Sequence, residues 1–192
     1  MTRISVDQFD AARAYVATPA NLLWDDLRVS LNRATIGSNN PSLTPFLTTL
    51  QAYAFSKTLI QQLYFDVQLP HAWAYGTTVS PHIHWSPGTS QDTGVVRWGL
   101  EYSIANYGAV FPATTTITVE QAGSGVAYAH QIAELPDIVM TGKKASSLIM
   151  CRIFREGNHV NDTFDAEAFG LSIDFHLQYD KDGGLTEYAG AV

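Results

Sequence analysis

The sequence predicts an all-β protein: an antiparallel, jelly-roll-like β-sandwich with an N-terminal arm that contains little regular structure. Three observations lead to this fold class. Apolar and polar residues alternate with a period of two in several runs, as in strands that place one face on a core. Clusters of glycine, proline, serine and asparagine separate the runs. Helical periodicity is nearly absent, and about seven or eight short strands at this spacing are typical of a sandwich or barrel.

Residues 1–50 are predicted to form the arm, because no strand alternation is sustained there. Within the arm, VDQFDAARAYV (Val6–Val16) places apolar residues on one side of a helix and predicts a single short helix. The stretch GSNNPSLTP (Gly37–Pro45) is rich in turn formers and predicts a loop. A segment with so little apolar periodicity gains little by folding alone, so we expect it to contact something beyond the sandwich.

Residues 51–183 are predicted to form the sandwich, and residues 184–192 a flexible tail. The strands follow from the runs LYFDVQL, SPHIHW, VVRWGLEYS, TTTITVE, SSLIMCRIFR and LSIDFHLQY. The last run alternates most regularly, whereas SSLIMCRIFR carries apolar residues on both faces. Since the apolar face of each strand packs on the core, we predict that four side chains lie buried between two sheets. These are Trp98, Leu100, Phe175 and Leu177.

Composition excludes several classes of protein. The net charge is −7, and a general nucleic-acid binder would instead need a basic stripe to neutralise phosphates. The chain has one cysteine, so no disulfide forms within it, which suits assembly inside a cell. No apolar run has the length of a signal peptide or a membrane span. We therefore expect no direct nucleic-acid partner and no membrane partner.

The run SPHIHW raises the question of a metal site. In a strand, His82 and His84 point to the same side, about 6.6 Å apart along the chain. With Gly76 upstream, this spacing resembles the first half of a cupin metal motif, whose ligands suit a divalent metal. The glutamate that the motif requires is replaced by Gly88 or Thr89, and no later histidine has the second half's context. We therefore predict no metal, with His82 and His84 as the only candidate ligands.

No other catalytic arrangement is apparent. The sequence has neither a Gly-x-Ser-x-Gly elbow nor a phosphate-binding glycine loop. Cys151 lies in an apolar run and is predicted to be a buried, inert thiol. Asp25 and Asp26 are adjacent, so in an extended chain their side chains point apart. We predict no catalytic residues, no cofactor and no enzymatic activity; a cupin-like metal-dependent enzyme remains an alternative.

Aromatic residues leave a second alternative open, a carbohydrate-binding β-sandwich. Tryptophan rings can form a stacking platform for sugars, and Trp73 and Trp85 flank the histidine run. Trp98 belongs to an apolar strand face and is predicted to lie in the core. Because many functions share a β-sandwich, fold class alone does not select this alternative.

Six phrases of the sequence carry a resemblance to a known group. They are NLLWDDLRV, LYFDVQLPHAW, GTTVSPHIHW, WGLEYSIAN, MCRIFRE and LSIDFHLQYD, spread over roughly residues 21–183. In this order they resemble small structural proteins encoded among the head and tail genes of tailed bacteriophages. The resemblance implies a virion component assembled in the bacterial cytoplasm, a jelly-roll protein that decorates or cements the capsid. It transfers no functional residue.

The same resemblance implies the partners. Related decoration proteins commonly form trimers where capsomers meet, so we expect a homotrimer bound to the major capsid protein or another virion protein. A tail or head–tail accessory protein is the alternative within the particle. The sequence adds one expectation: a polar strand face can pair charges across a threefold contact. Its residues are Arg97, Glu101, Asp174 and His176.

Overall fold

A computed structural model describes residues 22–90 and 93–180. These ranges contain ten strands and one 3₁₀ turn, Leu31–Arg33, and no α-helix, so no helix there is long and apolar enough to cross a membrane. The strands are β1 Leu23–Ser30, β2 Ser42–Phe46, β3 Leu50–Phe55, β4 Ile60–Gln68, β5 Ser80–Pro87, β6 Val95–Ala105, β7 Thr115–Ala122, β8 Gln131–Glu134, β9 Leu148–Glu156 and β10 Ala168–Tyr179.

The strands form two antiparallel sheets. The first sheet has the order β2-β3-β10-β5-β8, with β1 also paired to β10, and the second has the order β4-β9-β6-β7. From β3 onward the chain passes repeatedly between the sheets, and β6 and β7 are the only consecutive strands that share one. This connectivity is that of a jelly roll. The predicted fold class is confirmed.

Strand β10 is the centre of the first sheet, because it has neighbours along its whole length. Its first residues pair with β3, and the stretch from Ser172 to Tyr179 pairs with β1 on the same side. The register to β5 shifts between Gly170 and Ser172, at the point where this change of neighbour occurs. A Cβ on Gly170 would lie 2.8 Å from the Phe55 ring and 2.9 Å from Leu31, so this close approach requires glycine.

The core lies between the two sheets. Trp98, Leu100, Phe175 and Leu177 are all fully buried, which confirms the prediction for these four side chains. Trp73 and Trp85 are also fully buried. Trp85 packs against Trp98 and Phe164. The expectation that these tryptophans could form a surface platform for sugars is therefore wrong, since they fill the core instead.

One cation is buried in this core. Arg155 on β9 has no solvent exposure and pairs with Asp162, which is also fully buried. Its five N–H groups donate to both Asp162 oxygens and to the carbonyls of Phe55, Phe164 and Ala166. A guanidinium offers five donors in a rigid plane, so this environment satisfies it completely. Arg155 is thus a polar residue on the buried face of β9, which adds to the weak alternation that apolar residues on both faces give to SSLIMCRIFR.

The boundary of the arm at residue 50 needs correction. Within residues 22–50, β1 pairs with β10 and β2 pairs with β3, so both are strands of the first sheet. Both lie at an edge and bury little apolar surface: in β1 only Leu27 and Val29 pack against the core. Such strands carry weak alternation, which is why the sequence pattern missed them. The predicted helix Val6–Val16 and the tail 184–192 lie outside the described residues.

Candidate functional site

Histidines and aspartates gather on the outer face of the first sheet. His82 and His84 project from β5, and Asp174 and His176 from β10. The antiparallel register places His82 beside Asp174, and on the other side of β10 it places His176 beside Asp26 of β1. Because side chains alternate along each strand, these residues share one face of the sheet. We call His82, His84, His130, Asp174 and His176 the histidine cluster.

One half of the histidine cluster is a chain of hydrogen bonds. His84 Nε2 lies 2.7 Å from Asp174 Oδ2, and His84 Nδ1 lies 2.7 Å from His130 Nε2. A carboxylate can only accept, so His84 Nε2 donates to Asp174. In neutral His84 the Nδ1 atom then accepts from His130, whose ring stacks on it with centroids 4.9 Å apart. Both ring nitrogens of His84 are thereby engaged.

The other half contains a carboxylate oxygen without a hydrogen bond. Asp174 Oδ1 is buried and has no hydrogen-bond partner among the described residues. His82 Nδ1 lies 3.8 Å from this oxygen, and His176 Nε2 lies 3.9 Å from it. The two rings contact each other edge to face, with centroids 4.0 Å apart. Potential ligand atoms of these three residues all lie within 4.8 Å of one another, a spacing at which they can hold a metal ion.

The surroundings favour neutral imidazole at His82. Burial, and secondarily the neighbouring His176, holds the pKa of His82 below its usual value, while Asp174 and Glu134 oppose this shift. Asp174 itself is buried, with 5 % of its side chain exposed, whereas His176 is half-buried at the edge of the cluster. A neutral imidazole beside an ionised carboxylate has a lone pair available to a cation.

The structure gives the two predicted histidines different positions. His84 is held between Asp174 and His130, whereas His82 faces the open oxygen of Asp174. Sequence reasoning placed both histidines and Asp174 on polar strand faces but did not bring the two strands together. The signal was the matching pair of polar positions in PHIHW and IDFHL. Only the register of β5 against β10 aligns them.

The other candidate residues have ordinary structural roles. Cys151 is buried, and desolvation raises the pKa of its thiol far above the usual value. Of the two adjacent aspartates, Asp26 lies within ion-pair distance of His176, and Asp25 accepts a hydrogen bond from the backbone N–H of Asp26.

The charges of the second sheet are paired within the chain. Arg97 forms ion pairs with Glu120 and Glu156, and Glu101 pairs with Arg152. Arg97 and Glu101 project from β6, in the second sheet, while Asp174 and His176 project from β10, in the first. The four residues therefore do not form the single polar face expected from the sequence.

Comparisons with known proteins add little beyond the fold. No protein-family model matches the chain, and no curated protein matches it. Among solved structures, the CBM36-1 domain of a multidomain xylanase from the hindgut metagenome of Trinervitermes trinervoides aligns with a TM-score of 0.47 and 8 % identity, covering 85 % of this chain and 100 % of that domain.

Two further structures have the same kind of likeness. Infectious bursal disease virus, Gx strain, aligns with a TM-score of 0.42 and 7 % identity, over 85 % of this chain and 33 % of the viral one. Dimeric latent PorU from Porphyromonas gingivalis aligns with a TM-score of 0.36 and 10 % identity, over 83 % of this chain and 13 % of PorU. Likeness at this level carries no functional conclusion.

Proposed function

We propose that the chain is a structural protein of a tailed-bacteriophage particle, which decorates or cements the capsid as a homotrimer. It is assembled in the bacterial cytoplasm, resides in the virion and has no enzymatic role. The observation that carries this proposal is an exposed apolar hairpin at the edge of the first sheet. The resemblance of the six sequence phrases to phage structural proteins supplies the kind of particle, and trimers are the common form of such proteins.

The edge hairpin comprises β2, β3 and the turn between them. Leu43, Leu47 and Leu50 on this hairpin are 53 %, 54 % and 61 % exposed. Each Å² of apolar surface that a partner covers stabilises the complex by roughly 25 cal/mol. The strand register pairs Leu43 with Tyr53 and Phe46 with Leu50, so Leu43 and Leu50 project from opposite faces of the hairpin. Exposed apolar side chains gathered at one edge of a sheet can mark a contact with another protein that encloses this edge. The hairpin is therefore the surface that we assign to the subunit contact.

The contact is made by side chains and not by strand addition. Strand β2 is the outer strand of the sheet, and Pro45 within it has no backbone N–H to donate. A proline in an edge strand discourages pairing with a strand from another chain. A neighbouring subunit would thus pack against the leucines, which suits closed symmetric assembly better than open-ended sheet growth.

Light scattering coupled to size exclusion tests the assembly. We expect a mass three times the 21.0 kDa of one chain. Replacing Leu43 and Leu50 together with aspartate should give a folded monomer, because each added charge would have to be buried in the contact. Val160→Asp is the matched control, since Val160 is 85 % exposed but lies far along the chain from the hairpin. A monomeric wild-type chain at high concentration, or a trimer that survives the double substitution, contradicts the proposal.

Mass spectrometry of purified particles tests the location. A capsid decoration protein should be abundant and in fixed proportion to the major capsid protein, whereas a tail or head–tail accessory protein would be rare. Purified chain should also bind empty particles, and the Leu43→Asp/Leu50→Asp variant should bind them more weakly. Absence of the chain from the particles would remove the proposed function altogether.

A further inference from the structure

We infer that the histidine cluster binds one divalent transition-metal ion, with His82, Asp174 and His176 as ligands. This goes beyond the proposed function and does not depend on it. It also departs from the sequence-based expectation of no metal, in which His82 and His84 were the only candidate ligands. The geometry retains His82, replaces His84, and adds two ligands from β10.

One carboxylate oxygen of Asp174 is buried without a hydrogen-bond partner among the described residues. Burying a carboxylate oxygen without a partner is costly, and buried polar groups in folded proteins almost always find one. Asp174 Oδ1 has no hydrogen-bond partner among the described residues, and the distances of 3.8 Å and 3.9 Å to His82 and His176 are too long for hydrogen bonds. A cation held by all three groups would satisfy this oxygen.

The ligand atoms have nearly the spacing of a tetrahedral zinc site. Zinc lies about 2.0–2.2 Å from imidazole nitrogen and carboxylate oxygen, so tetrahedral ligand atoms lie about 3.3–3.5 Å apart. The distances of 3.8 Å and 3.9 Å from Asp174 Oδ1 to the two histidines exceed this range by only about 0.3–0.6 Å. The ligand atoms of all three residues lie within 4.8 Å of one another, so rotations of the three side chains would bring them to this spacing.

Hydrogen bonds from outside the ligand set hold Asp174 in its orientation. Its other oxygen accepts from His84, and His84 is in turn hydrogen-bonded to His130. Metal-ligating carboxylates are characteristically oriented by such outer hydrogen bonds. His84 is therefore a positioning residue, and its engaged ring nitrogens explain why it is not itself a ligand.

His176 and the fourth ligand decide which metals the site suits. His176 Nε2 lies 2.9 Å from Asp26 Oδ1, an ion-pair contact that it would exchange for the metal. With three protein ligands, a water molecule would complete a tetrahedral set, since the group whose ligand atoms lie within 4.8 Å of one another does not include Asp26. Two imidazoles with carboxylate oxygens suit zinc and other first-row transition metals, whereas calcium and magnesium prefer oxygen ligands alone.

Titration calorimetry on the full-length, tag-free chain tests the site. After removal of metals with a chelator, we expect one Zn²⁺ per chain and no comparable binding of Ca²⁺. His82→Ala and His176→Ala should each weaken binding by more than about 100-fold, and His84→Ala by about 10–100-fold because it acts on the outer shell. The matched control is His159→Ala, because His159 lies outside the cluster in a turn after β9 and accepts a hydrogen bond from the Asn161 backbone.

A spectroscopic readout separates a built site from adventitious histidine binding. Co²⁺ bound with tetrahedral geometry gives strong visible absorption, which should appear with wild type and His159→Ala and vanish with His82→Ala or His176→Ala. Circular dichroism and thermal unfolding of each variant establish that it is folded. Since the His176 side chain is 35 % exposed and that of Asp174 only 5 %, the His176 variant remains informative even if changes at Asp174 impair folding. No Zn²⁺ binding by wild type, or unchanged binding by the folded His82→Ala and His176→Ala variants, overturns the inference.

Discussion

At the scale of single residues, Arg155 shows how one charge can be accommodated inside a sandwich. Desolvating a guanidinium costs several kcal/mol, which the protein offsets only when every donor has a partner. Here the partners are one buried carboxylate and three backbone carbonyls from the strand β3 and the segment that leads to β10. The arginine therefore links β9 of the second sheet to structure on the other side of the core.

Replacing Arg155 with methionine should destabilise the protein by about 3–5 kcal/mol, because Asp162 would remain buried without its counter-charge. Arg152→Met is the matched control on the same strand. Arg152 and its partner Glu101 are partly exposed, so this loss should cost about 1 kcal/mol or less. Urea unfolding measures both values. Equal losses in the free energy of unfolding for the two substitutions would contradict a larger contribution from the buried pair.

At the scale of elements, strand β10 organises the first sheet. It pairs with β5 on one side and with β3 and then β1 on the other. The change of neighbour occurs at the bulge after Gly170, where Phe55 and Leu31 close over the strand. Because a bulge bends a strand and re-aims its side chains, this irregularity also sets the direction in which Asp174 and His176 project.

Gly170→Ala tests this close approach. The added methyl group would meet Phe55 and Leu31, both fully buried, so we expect a loss of about 1–3 kcal/mol from overpacking. Combining it with Leu31→Val makes room on one side. The double variant should therefore lose less stability than the sum of the two single variants, as measured by urea unfolding. Simple additivity would place the methyl group in open space and contradict the described packing.

At the scale of the whole molecule, the two ends of the described chain meet in the first sheet. Strand β1 pairs with β10 from Leu23 beside Tyr179 to Ser30 beside Ser172. Strands β1 and β2 are therefore edge strands of the folded sandwich and not parts of a detached arm. The edge hairpin, which includes β2, leaves apolar side chains to cover, and this is the basis of the proposed trimer.

Deleting residues 1–30 tests this topology. It removes β1 and uncovers one side of β10, including the contacts of Leu27 and Val29 with the core. Losing two half-buried side chains costs about 2 kcal/mol or more, which lowers Tm by about 4–8 °C in a chain of this size. The control deletion, residues 1–21, keeps every contact among the described residues. If both deletions gave the same Tm, β1 would contribute no stability to the sandwich and would belong to the arm.

Local patterns predicted much of the fold. The faces of β6 and β10 could be assigned from the sequence because a strand buries alternate residues whatever its partner, and Trp98 and Phe175 are indeed buried. The same reasoning failed for β1 and β2, because an edge strand buries few apolar residues and its sequence therefore alternates weakly. It also failed for Arg155, because a buried cation depends on acceptors far away in the chain.

By itself, then, the sequence determined the class of fold, the apolar faces of the inner strands, and the inert surroundings of Cys151. Tertiary structure alone decided the neighbours: that β5 lies against β10, that β1 lies on the other side, and that His82 meets Asp174 and His176. The physical reason is that alternation is a property of one strand, whereas register is a property of two. A site built from side chains on adjacent strands exists only once the sheet has formed.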